Sequence, residues 1–382
     1  MRIAQVAPLY ESVPPKLYGG TERVVSYLTE ELVRQGHEVT LFASGDSITK
    51  AHLVAACDQS LRLDKRCVAE LAHHMLLLER VFQRAEQFDV IHFHVDYLHF
   101  PLSRRQPYAQ LTTLHGRLDI PDLVPLYEEY DDMPLVSISN AQREPLPWAN
   151  WLTTVYHGLP ENLYRPRTAP GTYLAFLGRV CPEKRVDRTI EIARRTGIPL
   201  RIAAKIDPVD QDYYEKEIVP LLDDASDDVE FVGEIGEAQK DEFLGHACAL
   251  LFPIDWPEPF GLVMIEAMAC GTPVIAYRNG SVPEVLEDGR TGFVVNGMQA
   301  AIDAVSRVRE ISREECRKVF EERFSVRRMA CDYVRVYERL AAQSAGRLPR
   351  KECPGWPKRR SASASSTTSS RPPRGSTIAR GS

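Results

Sequence analysis

The stretch WPEPFGLVMIEAMACG, Trp256–Gly271, sets two carboxylates, Glu258 and Glu266, around a helix start with seven residues between them. It follows the apolar strand Leu250-Leu251-Phe252, and Pro257 and Pro259 stiffen the loop that carries Glu258. Phe260-Gly261-Leu262 then opens a helix expected to run to about Cys270. A first helical turn offers backbone N–H groups without intrahelical partners and the positive end of a dipole. The amides of Phe260, Gly261 and Leu262 therefore form a cradle for a diphosphate. Carboxylates beside such a cradle suit sugar hydroxyls. Glu258 would face a hexose and Glu266, about two turns into the helix, a ribose, which is a nucleotide-sugar reading. The pair alone does not decide it, because the dipole favours any Glu in a first turn.

Outward from this stretch, strand-like runs alternate with amphipathic helical segments, the pattern of parallel sheets covered by helices on both faces. Strands are expected at 3–7, 39–43, 90–94, 111–114, 135–139 and 153–156. After the Pro- and Gly-rich segment 158–171 a second series follows at 174–177, 200–204, 230–232, 249–252, 274–277 and 292–295. Between the first two strands, Val24, Leu28 and Leu32 share one face of a helix that starts near Thr21 and stops at Gly36. The fold class is therefore α/β with two doubly wound units in one chain. Ligands of such sheets lie outside the C-terminal strand ends, so facing units hold theirs in the cleft between them.

The Trp256 block, continued by CGTPVIAYRNGSVPEVLEDGRTGFVV (Cys270–Val295), resembles the E-x7-E signature of the retaining glycosyltransferases of family 4, which have the GT-B fold. The resemblance extends over roughly Met1–Leu340. It implies a Rossmann-like acceptor-side domain at 1–165, a nucleotide-sugar donor domain at 166–325 and a helix at 326–342 that crosses back onto the first domain. By that resemblance a sugar passes with retention from a nucleoside diphosphate, UDP or GDP, to a sugar, lipid or small-molecule acceptor. No cofactor or metal is required.

The same resemblance assigns further residues. Gly178-Arg179-Val180-Cys181-Pro182-Glu183-Lys184 is similar to the family's G-R-x-x-x-x-K diphosphate motif. Fixed cations there stabilise the charge that develops as the diphosphate leaves. The family usually has Gly next, where this chain has Arg185, expected to point to solvent. Gly19-Gly20-Thr21-Glu22 resembles the glycine-rich loop near the donor phosphate, although Gly-Gly before a helix is also an ordinary turn. His115 resembles the active-site His that contacts the transferred sugar; a His at a strand end also serves structure. Lys205 ends a strand towards the cleft, and Glu234 lies in the segment that cradles the base in such folds.

Two patterns point elsewhere. His92, His94 and Asp96 alternate along one strand, a spacing open to a metal cluster or to core histidines. Asp210-Gln211-Asp212 spells D-x-D, read here as helix capping.

Composition fits a soluble protein: 44% hydrophobic, 26% charged and net −6. Eight scattered cysteines without a C-x-x-C pair fit a reducing compartment. No apolar run is long enough to span a membrane, and MRIAQVAP lacks a signal pattern. The expected location is the cytoplasm, with at most peripheral contact at the inner face of a membrane. The segment 343–382 reads as a disordered basic tail. From Ala341 onward nine Lys and Arg face one acid, which makes the stretch +8 and the rest −14. No specific nucleic-acid partner is expected. Rival readings are a nucleotide-sugar 2-epimerase of the same fold and a non-catalytic nucleotide-sugar-binding protein.

Overall fold

Alternation of inward side chains builds both sheets. In β1 (Arg2–Val6), Ile3 faces a cluster with Val24, Leu28, Leu32, Val90 and Leu111, whereas Ala4 and Val6 face Phe42, Leu77, Leu78, Val81 and Phe93. A strand with both faces buried needs a helix on each side. The computed structural model describes residues 1–16, 19–224 and 228–345. Their strands form a seven-stranded sheet ordered β3-β2-β1-β4-β5-β6-β7 and a six-stranded sheet ordered β10-β9-β8-β11-β12-β13, and all named pairings are parallel.

The first sheet adds β2 (Glu38–Ala43), β3 (His52–Ala55), β4 (Val90–Phe93), β5 (Gln110–Thr113), β6 (Leu135–Ser137) and β7 (Trp151–Thr154). The second holds β8 (Tyr173–Arg179), β9 (Leu200–Lys205), β10 (Val229–Gly233), β11 (Ala247–Phe252), β12 (Val274–Tyr277) and β13 (Gly292–Val295). Every expected strand is present within a few residues. The sequence reading omitted β3, whose exposed–half-buried–exposed pattern at a sheet edge carries little hydrophobic signal.

Strand order reverses between β1 and β4 and again between β8 and β11, which opens a crevice at the carboxyl end of each sheet. The final helix, Val326–Ala345, packs Met329, Ala330, Tyr333 and Tyr337 into the core of the first sheet. Residues 343–345 thus end this helix, and the remainder of the expected basic tail lies outside the described residues. Among the described residues no helix is long and apolar enough to cross a membrane.

Candidate active site

The carboxyl ends of the two sheets enclose a cleft of about 670 Å³. Gly19, Gly20 and His115 line it from the first unit; Arg179, Lys184, Lys205, Glu234, Glu258, Phe260, Gly261, Leu262 and Glu266 line it from the second. Every site residue expected from sequence thus reaches one cavity. The glycine loop approaches the helix start closely, since a Cβ on Gly20 would stand 3.8 Å from Leu262 Cδ1.

The helix carrying Glu266 begins at Leu262, two residues after the expected opening at Phe260, and ends at Ala269. Gly261 caps it in the left-handed region at φ 75°, a backbone that a side chain resists. Glu266 therefore lies one turn into the helix, not two. Gly280 fixes the Glu258 loop from the other side. A Cβ there, at φ 52°, would stand 2.4 Å from both the Glu258 amide N and its carbonyl O. Ser281 N–H donates to that carbonyl at 2.9 Å.

Glu258 is buried and holds two donors: Lys184 Nζ, in a short ion pair, and Trp256 Nε1–H at 2.9 Å. Lys184 Nζ also lies 4.9 Å from the Trp256 ring centroid. Expected cation and expected sugar ligand are thus one unit, and the Lys184 side chain is only 18% exposed. Arg179 sits among carboxylates, 3.5 Å from Asp207 and 3.3 Å from Asp210 Oδ2, the second without hydrogen-bond alignment. Lys205 Nζ pairs with Asp207 at 2.7 Å. Burial raises the Asp207 carboxyl, but Lys205 and Arg179 outweigh it and hold it below its ordinary value. Burial raises Asp210 against the pull of Arg179.

Two expectations need correction here. Asp210 makes no side-chain cap to the helix it precedes; its carboxylate turns to Arg179, and Asp212 pairs with Lys216 on the surface. Arg185 does not extend into solvent. It adopts φ 55° and binds Asp187 at 2.7 Å and Asp255 at 2.8 Å. That left-handed backbone explains why a glycine suits the position, and the Asp255 pair ties the Arg179–Lys184 loop to the Glu258 loop. Asp255 N–H donates to Glu183 O at 2.8 Å across the same junction.

Glu266 is buried and accepts from Lys240 Nζ at 2.6 Å. Lys240 lies 3.6 Å from Glu237, which in turn pairs with Arg23 of the first unit and accepts from Tyr164. Lys240, Glu237, Trp256 and Asp207 were not singled out from sequence: folding brings Lys240 and Glu237 to Glu266, while Trp256 and Asp207 stand two residues from Glu258 and Lys205.

His115 Nε2 lies 2.9 Å from His94 Nδ1, and its Nδ1 is buried without a partner among the described residues. Burial pushes its pKa down to about 3 and holds His92, His94 and His157 well below the ordinary histidine value. His157, also missed from sequence, stacks on His115 at 5.3 Å and meets Phe260 edge-on at 4.8 Å. His92 is a core residue between Tyr337 and Thr113, and His94 joins Gln5 to His115. Asp96, at φ 49°, opens onto the cleft, yet its walls exclude enough water to raise the carboxyl to about 6. Among the described residues no group of three or more His, Cys, Asp or Glu could hold a metal ion.

The arrangement offers cations, first-turn amides and buried carboxylates to one ligand. Two sequence families match: Glycosyltransferase Family 4 over residues 18–177 and Glycosyl transferases group 1 over residues 167–324. D-inositol 3-phosphate glycosyltransferase of Streptomyces scabiei is 43% identical over 76 residues, 20% of this chain and 17% of that one. The chain spans 16–33% of the length of curated relatives matched in this way. AviGT4, a glycosyltransferase involved in avilamycin A biosynthesis, superposes with a TM-score of 0.70 at 25% identity, covering 89% of this chain and 98% of that one. Alr3699/HepE of Anabaena, in complex with UDP, shares the fold at 18% identity, with a TM-score of 0.69 over 89% of this chain and 100% of that one.

Proposed function

The chain belongs to the group 1, family 4 glycosyltransferases of the GT-B fold, and from that premise we propose that it moves a hexose from a nucleoside diphosphate, UDP or GDP, to an acceptor hydroxyl with retention. One observation carries the reading: Lys184, Arg179 and Lys205, the start of the Leu262–Ala269 helix, and Glu258 and Glu266 all meet in one cleft. The solved complex of the Anabaena protein with UDP supports a nucleotide in a fold of this kind.

In this reading the bond between the anomeric carbon and the diphosphate oxygen breaks, the acceptor oxygen bonds to that carbon on the same face, and the acceptor's hydroxyl proton passes to the departing diphosphate. Negative charge gathers on the departing diphosphate, where Arg179, Lys184 and the amides of Phe260, Gly261 and Leu262 stabilise it. In the resting cleft each cation is held by a carboxylate, Lys184 by Glu258 and Arg179 and Lys205 by Asp207. They stay oriented before the ligand arrives. Glu258 takes sugar hydroxyls, Glu266 the ribose, Glu234 lies beside the base, and His115 meets the sugar from the opposite wall. The glycine loop at Gly19 and Gly20 closes over the phosphates.

Thermal-shift screening against UDP-, GDP- and ADP-sugars tests the donor. A true donor at 100 times its dissociation constant stabilises by about 2.7 kcal/mol. No stabilisation by any of them, with no release of nucleoside diphosphate in the presence of candidate acceptors, would end this reading.

A further inference from the structure

Gln5, near the carboxyl end of β1 and fully buried, has a side chain that no step described so far uses. Its Oε1 lies 2.8 Å from His94 Nε2, and its Nε2 donates to Tyr337 Oη at 3.0 Å. Tyr337 Oη is 2.7 Å from His92 Nδ1, His92 Nε2 is 2.7 Å from Thr113 Oγ1, and Thr113 Oγ1 is 2.9 Å from Tyr333 Oη. Each neutral imidazole has one donor and one acceptor nitrogen, so such a line of bonds can run only one way at a time.

The orientation of Gln5 sets the direction. Because its carbonyl oxygen faces His94, His94 Nε2 must carry the proton and His94 Nδ1 must accept. His115 Nε2, 2.9 Å away, must then donate. That leaves His115 Nδ1 as a bare lone pair on a side chain lining the cleft, buried and without a partner among the described residues.

Resting on the transferase reading above, we propose that Gln5 is a positioning residue: through His94 it locks His115 as a hydrogen-bond acceptor, so the transferred sugar must present a hydroxyl hydrogen to Nδ1. A carboxylate at that place brings only lone pairs, and a deoxy sugar brings nothing. The donor class is therefore a neutral sugar hydroxylated there, and uronic acids with their carboxylate there are excluded. Leaving a buried acceptor unmatched discriminates strongly, as sites built around a substrate hydroxyl generally do.

Long-range 15N–1H spectra of histidine-labelled protein, with His115 assigned by its absence in His115→Ala, read the tautomer without any substrate. The expected result is Nε2 protonated and Nδ1 bare. A proton on His115 Nδ1 would overturn the proposal, since the line would then run in reverse. Kinetics give the second readout. Gln5→Met removes the acceptor for His94 and should lower kcat/KM by about tenfold with nucleoside diphosphate affinity retained, while the melting temperature falls because His94 and Tyr337 each lose a buried partner. Gln5→Glu should recover most of this, because a buried carboxylic acid stays neutral and accepts and donates as the amide does. In a His115→Ala background Gln5→Met should cost nothing further; an undiminished cost there would show a purely structural role and sink the proposal. Loss of all nucleotide binding by the wild type would instead overturn the transferase reading, leaving the tautomer to be decided by the spectra.

Discussion

Lys184 and Glu258 share one fate, because their side chains are only 18% and 10% exposed and each is the other's counter-charge. Removing one partner of a buried pair strands the other, a change that costs about 3–5 kcal/mol when burial is complete and less in a cleft. Lys184→Ala should therefore lower the melting temperature, and adding Glu258→Gln should restore part of it; calorimetry that finds the single variant as stable as wild type would show that water compensates the carboxylate. Arg179 is 34% exposed beside two carboxylates, and Arg179→Ala should melt nearly as wild type does. Each of these two losses should nevertheless slow transfer, by ~2–4 kcal/mol of transition-state stabilisation. Their combination should fall short of the sum, since both act on one anion. Glu258→Gln should cut turnover by roughly 10- to 150-fold, from ~1.5–3 kcal/mol of charge-assisted bonding, while nucleoside diphosphate affinity holds. Equal loss of nucleotide affinity, measured by calorimetric titration, would move Glu258 from the sugar to the nucleotide.

At the level of elements, the two loops that carry the site are braced against each other through Arg185 and Asp255. Arg185 occupies a backbone region that costs a non-glycine residue about 1–2 kcal/mol. Arg185→Gly removes that strain together with the ion pairs, so stability should change by less than about 1 kcal/mol, whereas Arg185→Ala keeps the strain, loses the pairs and should be clearly less stable. Denaturant titration of both variants decides it; equal losses would mean that the backbone conformation is not the cause. The strands were legible in the sequence because apolar runs are local signals, and the twelve residues that line the cleft were placed by short motifs and by the family resemblance. Less legible were β3, an edge strand with an exposed face, and the start of the Leu262–Ala269 helix, where left-handed Gly261 delays the first turn. The pairings between site residues and their distant partners were not legible. Lys240 reaches Glu266 across 26 positions and His157 reaches His115 across β6 and β7, pairings that only the parallel topology creates.

The whole molecule hides a row of histidines in neutral form, and that sets its response to acid. His92, His94, His115 and His157 are all depressed by burial, so below about pH 6.5 the unfolded chain binds protons that the native protein refuses. Their contribution is fully present above that pH and is lost progressively as pH falls from it towards the depressed native values. Asp96, raised to about 6, acts in the opposite sense as pH falls through about 6, where the unfolded carboxyl stays ionised and the native one takes up its proton, and so offsets part of the histidine loss. Stability should therefore decline from pH 7 to pH 6, with more than one proton taken up on unfolding; a flat melting temperature across that interval would contradict the buried neutral histidines. Chelation with EDTA should leave transfer largely unchanged, because Arg179, Lys184 and Lys205 supply counter-charge from the cleft wall, and collapse with recovery on manganese or magnesium would refute this. The central claim is that this cleft breaks a nucleoside diphosphate sugar at its anomeric bond. It is tested most directly by following nucleoside diphosphate release from UDP- and GDP-sugars, with and without acceptors, in wild type and Glu258→Gln at saturating donor. Acceptor-stimulated release should fall at least tenfold in the variant while diphosphate binding is unchanged; release from no donor, or release undiminished in Glu258→Gln, would contradict this role of the cleft.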